Sequence, residues 1–374
     1  MADPKYRVQL WAATGTNFAV GTLLADFVNV KNIGFAEYLN DVGEAFFTIN
    51  QDDPQLSGIR TQEGTAHVYI LRNNEVVWRG LLSEHEADAD DVIFYAYGYE
   101  GVMYKLATLW NATWKDAQID TIVSALWVRA KTDLTYSQLG FVTTGTIQAP
   151  YTASSGTTPI VLPLYKVYYK RILFTLKELS AIAVSDTTNV TYFQIDYTTT
   201  PTDKAATFNF WRNRSTDRSI VWEYGVNVKG FSESFAPLLA RNDILAVGSG
   251  ARNQLYRVQD TQATGTNGYE TVGRAQEPIY ISWVRDESDL TRVTALRAAR
   301  ALRSDTDVSL YMTNGGTEPF RSSTSGYALG DRVTVRIDRG VTQIDRLMMV
   351  MGQQVFAIRG HEVVIPMVAE KGGV

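Results

Sequence analysis

Runs of β-branched and aromatic residues at strand length recur through the first hundred positions: Tyr6–Ala12, Ala45–Ile49, His67–Leu71, Val76–Leu82 and Val92–Tyr99. Within Ala45–Ile49, residues Ala45, Phe47 and Ile49 share one face, while Phe46 and Thr48 share the other. Asp52-Asp53-Pro54 punctuates the pattern once. Asn73-Asn74 does so again, and Asn tolerates the positive φ of a two-residue hairpin. Short strands separated by turn signals at this spacing predict a small barrel or sandwich.

The period changes after residue 110. Ile119, Ile122, Val123, Leu126 and Trp127 fall on one helical stripe, and Thr113 with Asp116 stands before it as a capping-box candidate. Ile172, Leu176, Leu179 and Ala183 mark a second helix. Thr143–Pro163, dense in Thr, Ser, Gly and Pro, reads as a long exposed loop. Tyr192–Tyr197 alternates like a strand, and Thr198–Thr202 is another exposed connection.

From about residue 220 the β pattern returns in Ile220–Val228, Ile279–Val284, Val308–Met312, Arg332–Ile337, Leu347–Met351 and Val363–Val368. A helix over Asp289–Arg303 interrupts it, with Leu290, Val293, Leu296, Ala299 and Leu302 inward and four arginines flanking. The expected fold class is mainly β with an α/β insertion. The expected division is a first β domain over 1–108, a mixed α/β domain over 109–219 and a second β domain over 220–374.

The 374 residues carry 35 Lys and Arg against 40 Asp and Glu, a formal net charge of −5. That balance argues against a dedicated nucleic-acid binder. Cysteine is absent, which removes disulfides, thiolate metal sites and cysteine nucleophiles. His67, His85 and His361 stand too far apart in sequence to expect a three-histidine metal site. Asp3, Lys5 and Arg7 occupy the place of a signal's apolar run, and no stretch reaches the ~18 apolar residues of a membrane span. The expectation is a soluble chain.

Catalytic grammar is sparse. Glu84, His85, Glu86, Asp88, Asp90 and Asp91 could offer oxygens to Ca²⁺, but the run lacks the glycine-containing loop of an EF-hand and reads as a solvated hairpin tip. No G-x-S-x-G elbow or Walker loop is present, and Gly248-Ser249-Gly250 reads as a strand-end turn. The arginines of Asp289–Arg303 have Asp286, Glu287 and Asp289 beside them, which fits local ion pairs better than an anion site. Asn111, Asn189 and Asn213 begin chance glycosylation sequons. Trp110, Trp114 and Trp127 could stack on sugars, although Trp127 lies on the apolar stripe. The 20 Tyr, 15 Phe and 8 Trp suit both β cores and protein–protein surfaces. No catalytic residue, cofactor or metal ligand is expected.

Several segments resemble bacteriophage tail hub (baseplate hub) proteins. Leu39-Asn40-Asp41-Val42-Gly43-Glu44 leading into Ala45–Ile49 and Asp52-Asp53-Pro54 is similar to that family's first hairpin, with Val42 where the family often has Pro. Val77-Trp78-Arg79-Gly80-Leu81, followed by Val92–Tyr99 and Gly101–Leu106, resembles the next strand, its partner and a short closing segment. Gly225–Val228 and Asn242-Asp243-Ile244-Leu245-Ala246-Val247-Gly248 resemble strands of a second barrel. Thr271–Ile279 is similar to a Tyr-Gly-x-Arg-Glu segment, with Val272 replacing the Tyr and the spacing altered. Leu329-Gly330-Asp331-Arg332-Val333-Thr334-Val335 resembles a Leu-Gly-Asp-x-Val-x-Val strand start.

The resemblance implies two tail-tube-like β-barrel domains flanking the middle domain. It marks Gly43, Phe47, Asp53, Pro54, Gly80, Asn242, Gly248, Gly330 and Asp331 as family-motif structural positions. It further implies a homotrimeric ring at the phage tail tip, assembled in the host cytoplasm. That ring joins the sixfold tail tube or distal tail ring to a threefold spike or fibre, closes the DNA channel until ejection, meets the tape measure protein, and lets genomic DNA pass transiently without specific binding. The alternatives are another tail-tip protein, namely a distal tail or receptor-binding module, and a cell-wall glycan hydrolase. The last would need a lytic domain, for which no room is expected between Val363 and Val374.

Overall fold

In a computed structural model the described residues are 5–369, apart from 58, 109–111, 134–136, 150–158, 160, 183–190, 213–215, 235–241, 249–255, 262–269, 271–273, 282–286, 288–289, 292–293, 295–306, 313–325 and 359–360. The architecture is mainly β. The first part comprises β1 (Tyr6–Thr14), β2 (Ala19–Phe27), β3 (Asn32–Tyr38), β4 (Glu44–Asn50), β5 (His67–Arg72), β6 (Glu75–Ala87), β7 (Asp91–Gly98) and helix α1 (Glu100–Lys105). Strict alternation builds β7, where every second residue from Val92 to Gly98 is buried, whereas β5 is buried continuously from His67 to Leu71. Asn73 and Asn74 take φ 52° and 69° and turn β5 into β6.

Two strands escape the sequence pattern. β2 is a sheet edge whose Thr22, Leu23 and Leu24 are exposed, and β3 is broken by Gly34 and Glu37. β6 runs on to Ala87, so Glu84 and Glu86 are strand residues and the acidic tip begins at Asp88. There the Asp88 carboxylate accepts from Asp90 N at 2.9 Å and Asp91 N at 2.8 Å, closing the hairpin.

The middle part holds β8 (Ala112–Gln118), α2 (Ile119–Val128), β9 (Thr143–Ile147), β10 (Val161–Val167), α3 (Ile172–Ile182), β11 (Thr191–Tyr197) and β12 (Ala206–Arg212). Both helices stand where their apolar stripes place them, and Ile122, Leu126, Leu176, Leu179 and Phe208 share one core. Trp127 is a core residue, stacked on Phe208 at 4.2 Å. The capping box is not formed: Thr113 and Asp116 belong to β8, paired antiparallel with β10, and Gln118 precedes α2 with no side-chain cap bond. The Thr143–Pro163 segment is strand at both ends, because the Thr-rich β9 pairs in parallel with β12. Ala183 and Trp110 lie outside the described residues.

The last part adds β13 (Asp217–Glu223), β14 (Val228–Ser234), β15 (Asp243–Gly248), β16 (Tyr256–Thr261), β17 (Gln276–Ile281), β18 (Asp307–Met312), β19 (Arg332–Arg339), β20 (Thr342–Ile358) and β21 (His361–Ala369). The run Ile220–Val228 is two strands, broken by a turn with Gly225 at φ 86°. Leu347–Met351 is the middle of the 17-residue β20. Most of Asp289–Arg303 lies outside the described residues, but Leu290 and Thr294 are helical and buried.

β20 organises the molecule. Thr342–Met349 pairs with β19, while Gly352–Ile358 pairs with β3 on one side and β21 on the other. A sheet of thirteen strands therefore runs in the order β14-β18-β21-β20-β3-β4-β7-β6-β5-β1-β2, with β19 and β13 branching from β20. The sheet curls, so that Arg72 of β5 reaches Glu362 of β21 at 2.7 and 2.9 Å, and Tyr6 joins the same carboxylate at 2.5 Å. One hydrophobic core fills the interior from Phe47 and Phe94, stacked at 5.1 Å, through Val355 to Trp222 and Val333.

Candidate functional site

The motif positions singled out in the sequence do not converge; they are spread over turns and strand ends. Phe47 is fully buried in the main core. Asp53 caps the short 3₁₀ turn Pro54–Leu56 by accepting from Gln55 N at 2.9 Å, with Pro54 at the first helical position, where its missing N–H costs nothing. Gly43 and Gly80 are places of close approach: a Cβ on Gly43 would lie 2.6 Å from Ala36 O, and one on Gly80 would lie 2.2 Å from Tyr97 O. Asn242 is buried and accepts from Ala275 N at 2.8 Å, tying the start of β15 to the segment before β17. Gly248 ends β15 opposite Tyr256 and Ile281. Gly330 has φ 89°, and Asp331 accepts Ala328 N at 2.9 Å and Arg218 Nε at 2.7 Å.

A buried polar junction joins the first β part to the middle part. Arg79 on β6 is 2% exposed, and its guanidinium donates to the carbonyls of Thr198, Thr200, Asp203 and Ala205 at 2.7–3.2 Å. It lies 4.3 Å from the Tyr69 ring centroid and 5.2 Å from that of Tyr197. Beside it, the Glu37 carboxylate accepts from Tyr197 OH and from Gln353 Nε2. Glu100, at the start of α1, accepts from Ile195 N of β11 at 2.7 Å. Burial pushes its carboxyl up to about 7, against the pull of that amide, and the charges of Glu37 and Asp196 push the same way. On the far side, burial lowers His67 to about 4; its ring nitrogens face Tyr99 OH at 3.1 Å and Phe18 O at 3.0 Å. These groups hold parts together, and the hydrogen bonds they make go to the backbone and to each other.

The open face of the sheet carries two adjoining hollows. One, about 500 Å³, lies between α1, α3 and the β3–β4 turn, with Tyr104, Lys105, Phe174 and Lys177 on its walls. The other, about 520 Å³, lies over β20, β3, β4 and β7, with Phe46, Tyr95 and Phe356 on its walls. Tyr38, Glu44 and Tyr97 line both, so the two form one trough. A Cβ on Gly34 would meet the Phe46 ring at 2.3 Å, so Phe46 and Phe356 lean over that glycine to form the floor. Among the described residues, no group of three His, Asp or Glu side chains is set to hold a metal. His85 pairs with Glu63, and Asp91 with Lys31, so two members of the acidic run already have partners of their own. Trp114 is half-buried against Tyr165.

Glu37, Glu100 and Arg79 were not expected as a group. Glu37 and Arg79 sit singly in the strands β3 and β6 and Glu100 at the start of α1, and only the folded sheet brings them together.

No protein-family model matches the sequence. No curated protein matches it either. Solved structures do match in fold. A tail protein from Neisseria meningitidis MC58 superimposes with a TM-score of 0.63 at 11% identity, covering 98% of this chain and 97% of that one. The 43 kDa tail protein of prophage MuSo2 from Shewanella oneidensis gives 0.63 at 11% identity, covering 97% and 98%. Prophage tail protein gp18 from Listeria monocytogenes EGD-e gives 0.54 at 9% identity, covering 99% and 95%. At this identity the likeness is one of architecture, and it extends over nearly the whole of each chain: the protein has the mainly β fold of phage tail proteins.

Proposed function

We propose that the chain is a structural component of a phage tail tip, a hub that assembles as a homotrimer. In this reading residues 1–108 and 220–374 supply two tube-like β domains per chain, six in the ring, and residues 109–219 form the inserted middle domain. The ring matches the sixfold tail tube or distal tail protein on one side and a threefold spike or fibre on the other. The tape measure protein and the passing DNA meet its channel. The protein assembles in the host cytoplasm and works through surface shape, with no catalytic step of its own.

The observation that carries this reading is the end-to-end fold match with two tail proteins, one of them from a prophage, over nearly the whole of each chain. The sheet shared through β20 supports it, because it couples two β parts within one chain. Contacts of this kind draw their energy from buried area spread over a wide interface. Light scattering on the purified chain tests the reading. A mass near three times 41.7 kDa, with ring-shaped particles in negative stain, is expected. A monomer that joins neither a tail-tube nor a distal tail protein would overturn it.

A further inference from the structure

We propose that the exposed Tyr168–Tyr169 loop, with Arg171 and Lys105 beside it, docks into the acid-rimmed aromatic hollow over β20, β3, β4 and β7 of a second copy of this chain. The proposal rests on the self-association in the proposed function and names the surfaces that carry it.

The donor patch is built by two segments lying side by side. Ala107 and Arg171 form an antiparallel bridge, Thr108 N donates to Lys170 O at 2.8 Å, and Ile172 N donates to Leu106 O at 2.9 Å. That pairing leaves Tyr104, Tyr168, Tyr169 and Phe174 exposed by 44, 53, 73 and 41%. At about 200 Å² per aromatic side chain, these fractions amount to roughly 400 Å². A stable interface takes about 800 Å² per partner, so the patch supplies half of one share. Tyr169 is held at φ 45°, a conformation disfavoured for a bulky L-residue, while its side chain gains little cover from the rest of the chain.

Charge distinguishes this patch from the rest of an acidic chain. From Val161 to Lys177 there is no Asp or Glu, while Lys166, Lys170, Arg171 and Lys177 are present. Lys170 and Lys177 are neutralised by Glu178 and Asp41. Arg171 lies 3.9 Å over the Tyr104 ring and Lys105 4.3 Å over the Tyr97 ring, both against aromatic faces and not carboxylates. Exposed Tyr and Arg are the side chains that dominate protein–protein contact energy.

The acceptor hollow adjoins this patch at Tyr97, the ring beneath Lys105, and runs along β7 toward the β6–β7 hairpin. There the β6–β7 hairpin exposes Glu84, Glu86, Asp88 and Asp90. Glu84 also forms the rim of the hollow of about 520 Å³ floored by Phe46, Tyr95 and Phe356. An apolar floor with an acidic rim complements aromatic rings flanked by cations. The donor side chains and those lining this hollow are different residues, so two copies meet through unlike patches, the arrangement that generates rings when its rotation closes.

The test is sedimentation velocity with light scattering across a concentration series, on wild type and charge-exchanged chains. The paired substitution Arg171→Glu with Lys105→Glu, and separately Glu84→Lys with Glu86→Lys, should each weaken self-association about tenfold or more. Combining all four should restore it. All altered residues are exposed, and circular dichroism with melting curves verifies that each variant folds. A wild-type oligomer whose dissociation constant is the same in every variant overturns the interface and leaves the tail-hub reading standing. A wild-type dimer that responds to the exchange supports the interface while removing the threefold ring. A wild-type monomer removes both. Loss of binding to phosphatidylglycerol vesicles or to duplex DNA in Arg171→Glu with Lys105→Glu, with self-association unchanged, overturns the proposal in favour of that occupant.

Discussion

Glu100 is a carboxyl placed where ionisation is unfavourable, and its consequences are measurable. Burial raises it from 4.5 to about 7 in the folded chain, so the native state holds this proton more tightly than the unfolded one. The stability it contributes is complete below about pH 4.5 and is lost as the pH rises through 7. The difference at pH 8 is about 3 kcal/mol, at 1.36 kcal/mol per unit. Glu100→Gln keeps an oxygen for Ile195 N and cannot ionise. Its urea midpoint should exceed that of wild type at pH 8, and the two should converge at pH 5. A variant destabilised equally at both pH values would show that the carboxyl's charge carries no penalty. His67 works in the other direction: its folded value of about 4 means that stability present above about 6.5 is lost as the pH falls toward 4.

At the scale of elements, glycine separates close approach from mere presence. A Cβ on Gly80 of β6 would meet the Tyr97 carbonyl, which cannot move without opening the ladder between β6 and β7. On Gly230 of β14 the nearest atom is 3.7 Å away, an ordinary contact. Gly80→Ala should therefore lower the unfolding midpoint steeply, by roughly 2 kcal/mol or more, while Gly230→Ala should be neutral or slightly stabilising. Thermal melts of the two variants decide this.

The same scale explains what could be read in advance. β7 carries clean alternation, β1, β4 and β5 are strand-length runs of β-branched and aromatic residues, and α2 and α3 carry clean 3.6-residue stripes, so their patterns alone locate them. β2 and β9 are polar or exposed, and they exist because a neighbouring strand pairs with them. The Thr113–Asp116 spacing matches a helix cap, yet β10 recruits those residues into a sheet. The polar junction of Arg79, Glu37 and Glu100 is illegible for a related reason: it comes from β6, β3 and the start of α1, which only the sheet order brings together. The basic Tyr-Tyr-Lys-Arg run at 168–171 was visible all along, but its exposure was not.

For the whole molecule, the decisive fact is that β20 belongs to both β parts. Val355 packs in the same core as Phe47 of the first part and Trp222 of the last. Unfolding of the first and last parts should therefore be one event, not two. Hydrogen exchange followed by mass spectrometry on Val355→Ala should show amides of β4 and of β19 losing protection together. Loss confined to β3 and β4 would show that the two parts open separately. Leu→Ala-type deletions in cores cost about 2–5 kcal/mol, and a Val methyl pair falls at the lower end, enough to read.

That shared strand also has a mechanical side. Seventeen residues extend about 55 Å, and the rungs on either flank lie across the strand axis. A push or pull along β20 would load those rungs side by side, in shear, instead of peeling them one after another. The register shift between Val350 and Gly352 is the one interruption in its pairing with β21. An axial load on either end would thus travel through the chain as through a strut with a single joint.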